Sequence, residues 1–556
     1  MSYGINMYEN MSYLRTEPEW GARPVPPAPE VNFYDLIRES VFRFPLKTAL
    51  VFFDRKITYR EMDELSDRFA AALSEMGVQK GDRVAVILPL SAQAVIAFHA
   101  IIKIGAISVP CNVMFKQDEF IYILNDSGAN TVICLDLLCP VIEQIKCKTG
   151  LRQVISVHLK DFSGPDAWIP LLVQNEKQPV PGAIDMMELL ESTPPRPPKV
   201  DINAREDTAL IIYTAGTTGP PKGVMLTHYS MVNALLAQCH TVGIEHNDVN
   251  LQILPMFHIG GYYLMLHPDL YQGATTVLMP LFDPTEYLKA FERYQVNTLL
   301  GIPTVFVALL NHPDIKKYDF SNLRICIAAG APVPGELQKN WYETTRVELS
   351  QGWGMTECNA GAIVNLPNKV NPDSIGVPIF GEVKIIDPET GEMLPRGETG
   401  EILFRGPQGA KGYWDKPGET RETFQTDGWL HTGDAGYISD DGFIFFVDRI
   451  KDLIIASGYN ISPFEVESFI MKHPSVIEAA VIGITDEYRG ETVKAYIVLK
   501  EEFRGKTTED EIMDFCKEHM ATYKRPRVIE FVDELPKSAI GKVLRRVLKE
   551  RELAKE

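Results

Sequence analysis

Short apolar runs alternate with helical patterns through much of this chain, and this alternation limits its fold more than any other feature. Residues 81–89 (GDRVAVILP) are typical of a buried strand, and Phe69 and Leu73 belong to an apolar series at helical spacing just before it. An apolar helix over about 92–105 leads to a second strand near Ile107. Because parallel strands need a crossover connection, this order predicts β/α units built around parallel sheets.

The same strand pattern recurs along the chain, at residues 131–135, 209–213, 275–279, 298–301 and 323–328. After about residue 374, short strands joined by Gly/Pro turns replace the helices, and a final α+β pattern follows. We therefore predict an α/β protein with a large N-terminal domain of layered β/α subdomains plus a β subdomain, and a small mobile α+β C-terminal domain. The expected boundaries are an N-terminal arm over 1–30, the large domain over 31–450 with its β-rich subdomain at about 375–447, and the small domain over 451–556.

Composition excludes several classes of protein. The 556 residues carry a net charge of −19, which argues against a nucleic-acid partner because phosphate backbones need a basic surface. The longest apolar stretch, 94–109, is interrupted by His99 and Lys103, so we expect no integral membrane segment. The 8 cysteines form no CxxC pair, and residues 1–30 lack the apolar run of a secretory signal. We expect a cytoplasmic protein.

The segment 213–224, YTAGTTGPPKGV, follows one of the apolar strands. Its glycines allow a close approach of the backbone to a ligand, while the threonine hydroxyls and Lys222 supply donors and a positive charge. A polyphosphate needs this combination. The segment is not a Walker loop, because Gly223 stands where that motif has a Ser or Thr that holds magnesium. Taken alone, it is also compatible with a surface turn.

Six further motifs follow in order: PMFHIGG (255–261), AAGAPV (328–333), QGWGMTE (351–357), GWLHTGD (428–434), DRIKDLIIASGYNI (448–461) and PKSAIGK (536–542). Together with the glycine-rich segment they closely resemble the adenylate-forming superfamily, which includes acyl-CoA synthetases, aryl-CoA ligases, peptide-synthetase adenylation domains and beetle luciferases. The resemblance covers about residues 35–550. It implies that a carboxylate reacts with Mg-ATP to give an acyl-adenylate and pyrophosphate, and that a thiol then displaces AMP.

The resemblance also implies a nucleotide site. The β- and γ-phosphates are expected at Thr214, Thr217, Thr218 and Lys222, the α-phosphate at Thr356, and Mg²⁺ at Glu357. The adenine is expected along Gly330, Ala331, Pro332 and Trp353, and the ribose at Asp434, assisted by Arg449. Gly352 and Gly354 are also expected to bind the nucleotide. Trp353 stands where the family usually has the Tyr that stacks on adenine, and Ala215 replaces a usual Ser.

Four further roles follow from the resemblance. Lys542 is the main catalytic residue and neutralises charge between the carboxylate and the phosphate, while His258 lies at carboxylate entry. Lys451 is the hinge about which the small domain rotates, so that Lys542 leaves and the thiol enters. Gly458 and Lys524 are expected to contact CoA, and a basic tail that includes Arg545 is expected to meet CoA phosphates.

The acyl pocket is expected to be formed by Tyr262, Thr304, Ala329, Gly354 and Ile363. Family members restricted to acetate have a Trp at the position of Gly354, so we expect a larger acid: a medium- or long-chain fatty acid, or an aromatic or alicyclic one. The expected partners are this small carboxylic acid, ATP and CoA, and the sequence leaves open whether the chain is a homodimer.

Three alternatives stay open at this point. An enzyme of the same fold that loads a carrier protein would use a protein-bound thiol instead of CoA. A noncatalytic acyl-nucleotide sensor would not need Lys542, Glu357 and Thr356. A phosphotransferase would release ADP instead of AMP.

Overall fold

The computed structural model describes residues 13–15, 27–165, 167–170, 174–214, 220–263, 265–366, 370–456, 459–486, 488–538 and 542–555. The helices are α1 Phe33–Arg43, α2 Tyr59–Glu75, α3 Ala92–Lys103, α4 Gln117–Ser127, α5 Cys139–Ile145, α6 Met186–Ser192, α7 His228–Gln238, α8 Ile259–Tyr263, α9 Leu266–Gln272, α10 Pro284–Arg293, α11 Pro303–Leu310, α12 Gly335–Thr345, α13 Pro417–Thr423, α14 Pro463–Ile470, α15 Glu509–His519 and α16 Arg545–Leu553.

The strands are β1 Tyr13–Arg15, β2 Thr48–Phe52, β3 Arg55–Thr58, β4 Arg83–Ile87, β5 Ile107–Pro110, β6 Thr131–Leu135, β7 Gln153–Val157, β8 Ile184–Asp185, β9 Thr208–Thr214, β10 Lys222–Thr227, β11 Val249–Gln252, β12 Thr275–Leu278, β13 Thr298–Gly301, β14 Ile325–Ala329, β15 Ser350–Met355, β16 Ala360–Val364, β17 Val377–Pro378, β18 Glu382–Ile386, β19 Gly400–Arg405, β20 Gly412–Tyr413, β21 Leu430–Ile438, β22 Ile444–Arg449, β23 Ile454–Ala456, β24 Tyr459–Ile461, β25 Val476–Asp486, β26 Gly490–Leu499 and β27 Val528–Phe531.

These strands form four sheets. The first sheet has the order β20-β10-β9-β5-β4-β6-β7-β8, and the second has the order β17-β16-β15-β14-β13-β11-β12-β2-β3. The third sheet, β1-β18-β19-β21-β22, is entirely antiparallel. The fourth contains β23 to β27 and belongs to the small domain. The centres of the first two sheets are parallel, from β9 to β8 and from β15 to β2.

Helices cover the parallel strands, and this burial explains their continuous apolar sequences. In β4, four of five residues are buried, and every residue of α3 is buried. Helix α2 is amphipathic, begins at the cap residue Thr58, whose side chain accepts from the Glu61 backbone N–H, and buries Met62, Phe69 and Leu73. The prediction of β/α units around parallel sheets is therefore confirmed.

The strand patterns also located most strand bounds. The predicted strands 131–135 and 298–301 match β6 and β13 in full, and the others differ by one or two residues at their ends. Two features were not predicted. Lys222 begins a strand, β10, that pairs antiparallel with β9, and Tyr13–Arg15 of the predicted arm form β1 against β18.

The small domain follows the third sheet directly. A 3₁₀ turn over Ile450–Asp452 joins β22 of the third sheet to β23 of the fourth, so Lys451 lies at the junction of the two domains. The mixed α/β fold with a large and a small domain agrees with the sequence prediction. Within the described part of the chain, no helix has both the length and the apolar character needed to cross a bilayer.

Candidate active site

The carboxyl ends of β14 and β15 form one wall of the site. Ala329 pairs in parallel register with Gly352, and the chain leaves β14 at Gly330 with a φ of +84°, a conformation that favours glycine. A Cβ atom placed on Gly330 would lie 3.5 Å from Ile302 Cγ2 and 3.8 Å from Lys542 Cε. The lysine of the small domain therefore reaches the strand ends of the large domain.

Trp353 and Asp434 are joined across two sheets. The indole N–H of Trp353 donates to Asp434 Oδ2 at 2.8 Å, and Asp434 pairs in register with Arg449, whose Nε lies 3.9 Å from Asp434 Oδ1. Burial raises the pKa of Asp434, while the charge of Arg449 and the Trp353 hydrogen bond oppose that rise. Trp353 of the predicted adenine residues thus forms one connected group with the predicted ribose residues Asp434 and Arg449.

Glu357 lies in a 3₁₀ turn that follows β15 and is almost fully buried. The Tyr413 hydroxyl donates to Glu357 Oε1 at 2.8 Å, and Lys222 Nζ lies 5.1 Å from the centre of the Tyr413 ring. Burial raises the pKa of the Glu357 carboxyl, and Tyr413, Arg449 and Lys222 act in the opposite direction. Buried carboxylates are generally paired with a cation or coordinate a metal, so Glu357 is suited to hold a cation.

The pKa values of Lys542 and His258 are both lowered, and the charge of Lys542 contributes to the shift of His258. Burial, followed by the charge of Arg449, lowers the pKa of Lys542 to about 8. Burial, followed by the charge of Lys542, lowers the pKa of His258 to about 3, so the imidazole is neutral at neutral pH. His258 Nδ1 accepts from the Gly260 backbone N–H at 3.1 Å, which places its proton on Nε2. The site therefore offers a cation, Lys542, and a neutral N–H donor, His258, whose pKa responds to that cation.

The turn after Glu357 is held in an unusual backbone conformation. Asn359 and Ala360 have φ values of +55° and +75°, although neither is glycine. A Cβ on Gly354 would lie 1.4 Å from the Ala360 carbonyl oxygen. Gly354 is therefore required by the close approach of two backbone segments, a reason for glycine that is separate from the open acyl pocket expected at this position.

Several predicted residues stand apart from this group. Thr217, Thr218 and Gly458 lie outside the described residues. The Thr214 hydroxyl lies 3.5 Å from the Lys222 carbonyl oxygen, which joins the two ends of the glycine-rich segment. Lys524 Nζ is paired with Glu465 Oε2 at 2.7 Å, so contact with CoA would require it to exchange partners.

The expected acyl-pocket residues do not all lie in one apolar cluster. Tyr262 is fully buried and stacks on His267, with ring centres 5.8 Å apart, whereas Ile363 is fully buried in a separate apolar cluster with Trp353. Thr304 is half-buried near the start of α11, and Ala329 ends β14 beside the strand end that carries Gly352. Their role as pocket walls stays a prediction.

Two residues of the site were not predicted. Tyr413 reaches Glu357 because β20 pairs with β10, and the sequence offered only the apolar pair Tyr413–Trp414 as a signal. Buried Gln351 accepts from the Val333 backbone N–H at 2.7 Å through Oε1 and donates to the Ser374 carbonyl at 3.0 Å. It fixes the segment after Gly330 to β15, and it is the first residue of the QGWGMTE motif.

The site fits a magnesium ion delivered with phosphates. Among the described residues, no three His, Cys, Asp or Glu side chains converge to hold a metal, and the Tyr413 hydroxyl bonds Oε1 of Glu357, not Oε2. Mg²⁺ is commonly bound by one or two carboxylates together with substrate phosphates and water. Glu357 is the residue that would hold it.

Two family models match the chain. The model described as AMP-binding enzyme covers residues 37–414, and the model described as AMP-binding enzyme C-terminal domain covers residues 465–542. The two matches fall on either side of the 3₁₀ turn that contains Lys451.

Known proteins are similar over nearly the full length. The chain is 37% identical to a long-chain-fatty-acid–CoA ligase of Bacillus subtilis (strain 168), over 95% of each chain, and 34% identical to 4-coumarate–CoA ligase 1 of Petroselinum crispum, over 89% of each. A crystal structure of the anthranilate CoA ligase AuaEII with anthranoyl-AMP superposes with a TM-score of 0.85 at 32% identity, covering 96% of this chain and 98% of the other. The chain belongs to the AMP-binding enzymes, in the acyl-CoA synthetase branch of the adenylate-forming superfamily.

Proposed function

We propose that this chain is an AMP-forming acid–CoA ligase that works in two steps at one site. In the first, a carboxylate oxygen attacks the α-phosphorus of ATP, giving an acyl-adenylate and releasing pyrophosphate. In the second, the CoA thiol attacks the acyl carbon, giving the thioester and AMP, and loses its proton. The observation that carries the proposal is Lys542, which reaches from the small domain to the strand end at Gly330 and to the surroundings of His258.

The first step brings several negative charges together, and the residues of the site are arranged to offset them. Lys542 contributes a positive charge where the carboxylate meets the α-phosphate, and His258 Nε2–H donates to the same carboxylate. Thr356 contacts the α-phosphate, and Lys222 screens the outer phosphates. Mg²⁺ held by Glu357 supplies further charge neutralisation on the phosphates when it is bound.

The nucleoside part of ATP lies between the strand ends and the third sheet. Trp353 stacks on the adenine beside Gly330, Ala331 and Pro332, while Asp434 accepts from the ribose hydroxyls. Because Trp353 already donates to Asp434 Oδ2, the carboxylate is oriented before ATP arrives. Lys451, at the domain junction, is the proposed hinge for the second step.

The acid we propose is an apolar one: a medium- or long-chain fatty acid, or an aromatic acid. The similar proteins are named for long-chain fatty acids, 4-coumarate and anthranilate, and these names support the proposal. No lysine or arginine was evident among the expected pocket residues to pair with a second carboxylate, which favours an uncharged tail.

We propose a cytoplasmic location. All eight cysteines are among the described residues and are free thiols, which suits a reducing compartment. A homodimer stays a prediction, which light scattering after size-exclusion chromatography will test.

A pyrophosphate-release screen over a panel of carboxylic acids, each with ATP, Mg²⁺ and CoA, tests the function. We expect release with apolar acids, AMP as the nucleotide product, and an acyl-CoA product by mass spectrometry. Lys542→Ala is expected to lose about 100-fold or more in pyrophosphate release, since one electrostatic group at a developing charge contributes about 10²–10³. Formation of ADP, or an acyl-adenylate that free CoA does not discharge, would contradict the proposal and favour a phosphotransferase or a carrier-loading enzyme.

A further inference from the structure

Asp448 is a buried carboxylate one residue before Arg449, whose backbone N–H donates to Asp448 Oδ1 at 2.8 Å, while Asp448 Oδ2 receives hydrogen bonds from the small domain. It is 1% exposed, and its Oδ2 accepts from Ser462 Oγ at 3.1 Å and from the Phe464 backbone N–H at 2.9 Å. Ser462 caps α14 and Phe464 lies in its first turn. Asp448 itself belongs to β22 of the third sheet, on the other side of Lys451. Its carboxylate is therefore an interdomain contact.

Arg545 completes this contact from the start of α16. Its Nη2 lies 2.7 Å from Glu467 Oε2, and its Nη1 lies 3.4 Å from Asp448 Oδ1 and 3.9 Å from Asp452 Oδ2. Glu467, buried in α14, also accepts from the Val481 backbone N–H at 2.8 Å. Arg545 is thus fixed within the small domain by Glu467 and directed across the junction at Asp448. The expectation that Arg545 meets CoA phosphates stays a prediction, and such a contact would require Arg545 to exchange these partners.

Arg545 stands directly after the segment that carries Lys542. The Ser538 backbone N–H donates to the Lys542 carbonyl at 2.7 Å, Leu544 N–H donates to the Pro536 carbonyl at 2.8 Å, and Lys537 pairs antiparallel with Val543. These bonds make the segment move together with the start of α16. At the other end of the contact, Asp448 adjoins Arg449, which lies beside Asp434.

We propose that Arg545 and Asp448 are a positioning pair, which holds the small domain in the orientation that brings Lys542 to the adenylation site. The inference rests on the proposed function. Neither residue is placed against ATP or the acid, so they act through Lys542. Loss of the pair is expected to slow acyl-adenylate formation and to leave the transfer of a preformed acyl-adenylate to CoA almost unchanged, because that second step does not use Lys542.

The test separates the two half-reactions in Asp448→Asn, Arg545→Gln and Arg545→Lys. Single-turnover formation of acyl-AMP is measured without CoA, and thioester formation is measured from synthetic acyl-AMP and CoA. We expect a loss of at least tenfold in the first reaction for Asp448→Asn and Arg545→Gln, less than twofold change in the second, and partial recovery in Arg545→Lys. The double variant Asp448→Asn/Arg545→Gln should be no slower than the slower single variant, because the two residues act as a unit.

Two controls separate positioning from folding. Arg546→Gln changes the next residue of α16, which is exposed and pairs with Glu550 at 3.5 Å, and is expected to leave both reactions unchanged. Glu467→Gln weakens the Arg545–Glu467 ion pair inside the small domain, so its Tm reports how far this pair stabilises that domain. Equal loss of both half-reactions in Asp448→Asn, or unchanged adenylation, would overturn the inference while leaving the proposed function intact. Absence of acyl-AMP in the wild-type enzyme with every acid would refute both.

Discussion

The indole N–H of Trp353 donates a 2.8 Å hydrogen bond to Asp434 Oδ2, which connects β15 of the second sheet to β21 of the third. The Tyr that related enzymes usually have at this position has no N–H to donate. Replacement of that Tyr by Trp therefore changes the ring that stacks and also the way in which Asp434 is oriented.

Trp353→Phe keeps an aromatic ring and removes the bond to Asp434. We expect KM for ATP to rise about tenfold with a smaller change in kcat, since a hydrogen bond to a charged group contributes about 1.5–3 kcal/mol and part of this is recovered by water. Steady-state kinetics with ATP as the varied substrate will measure it. An unchanged KM for ATP would show that the bond does not orient Asp434 for the ribose.

The lowered pKa of Lys542 predicts that acyl-adenylate formation depends on pH. Burial and the charge of Arg449 lower the pKa of Lys542 to about 8, and only the protonated amine can neutralise the reacting oxygens. The value of kcat/KM for acyl-adenylate formation, which reports the free enzyme, should therefore fall as pH rises through about 8. His258, with a pKa lowered to about 3, should add no transition between pH 5 and 8. A profile that stays flat to pH 9.5 would contradict the role of Lys542.

Tyr413→Phe tests whether Tyr413 orients Glu357, the expected magnesium ligand. The variant removes the 2.8 Å hydrogen bond to Glu357 and leaves a buried carboxylate less well oriented. We expect the concentration of Mg²⁺ needed for half-maximal activity to rise about tenfold, in line with the effect of losing a residue that orients a metal ligand. Tyr437→Phe, on a ring that stacks on Phe445 with centres 4.9 Å apart, is the matched control and should leave the Mg²⁺ requirement unchanged. Equal effects of the two variants would remove Tyr413 from the site.

Gly354→Ala tests the close approach of β15 to the Ala360 carbonyl. The added Cβ would lie 1.4 Å from that oxygen, so the turn after Glu357 has to move. We expect a loss of about 1–3 kcal/mol in stability, seen as a lower Tm, together with reduced activity at saturating ATP. Gly150→Ala is the control, since a Cβ at Gly150 meets nothing within 4 Å. An unaltered Tm would show that the two segments separate at little cost.

The same geometry changes how the acyl pocket has to be tested. A Trp at position 354 would disturb the Ala360 turn as well as fill the expected pocket, so shorter acyl chains would not be its only consequence. Thr304, another expected pocket residue, is half-buried near the start of α11 and offers a second position for this test.

The sequence predicted those parts of the fold that depend on local patterns. Strands such as β6 and β13 are short, almost fully buried runs of mainly apolar residues, and their bounds follow from the residues themselves. Tyr413 could not be found in this way, because its contact with Glu357 depends on the pairing of β20 with a strand far away in the chain. Tyr13–Arg15 likewise form a strand only because β18 offers an edge.

The candidate site was predictable where a motif names its residues. Trp353, Asp434 and Arg449 come from three motifs and are joined by hydrogen bond and charge in the structure. The motifs do not predict the orientation of the small domain relative to the large one. That orientation brings Lys542 close to Gly330 and depends on side chains outside the nucleotide-binding motifs, Arg545 among them.

Thr214 and Lys222, at the two ends of the glycine-rich segment, are register partners in the antiparallel strands β9 and β10. In a Walker loop a helix follows the glycines directly, so that its macrodipole points at the phosphates. Here α7 begins at His228, at the far end of β10 and about 20 Å from Lys222 at 3.3 Å per residue. In the proposed function, side-chain charge, chiefly that of Lys222, counters the outer phosphates, and the distant dipole of α7 does not. Unlike a backbone dipole, that charge can be removed by one substitution or one acylation of a lysine.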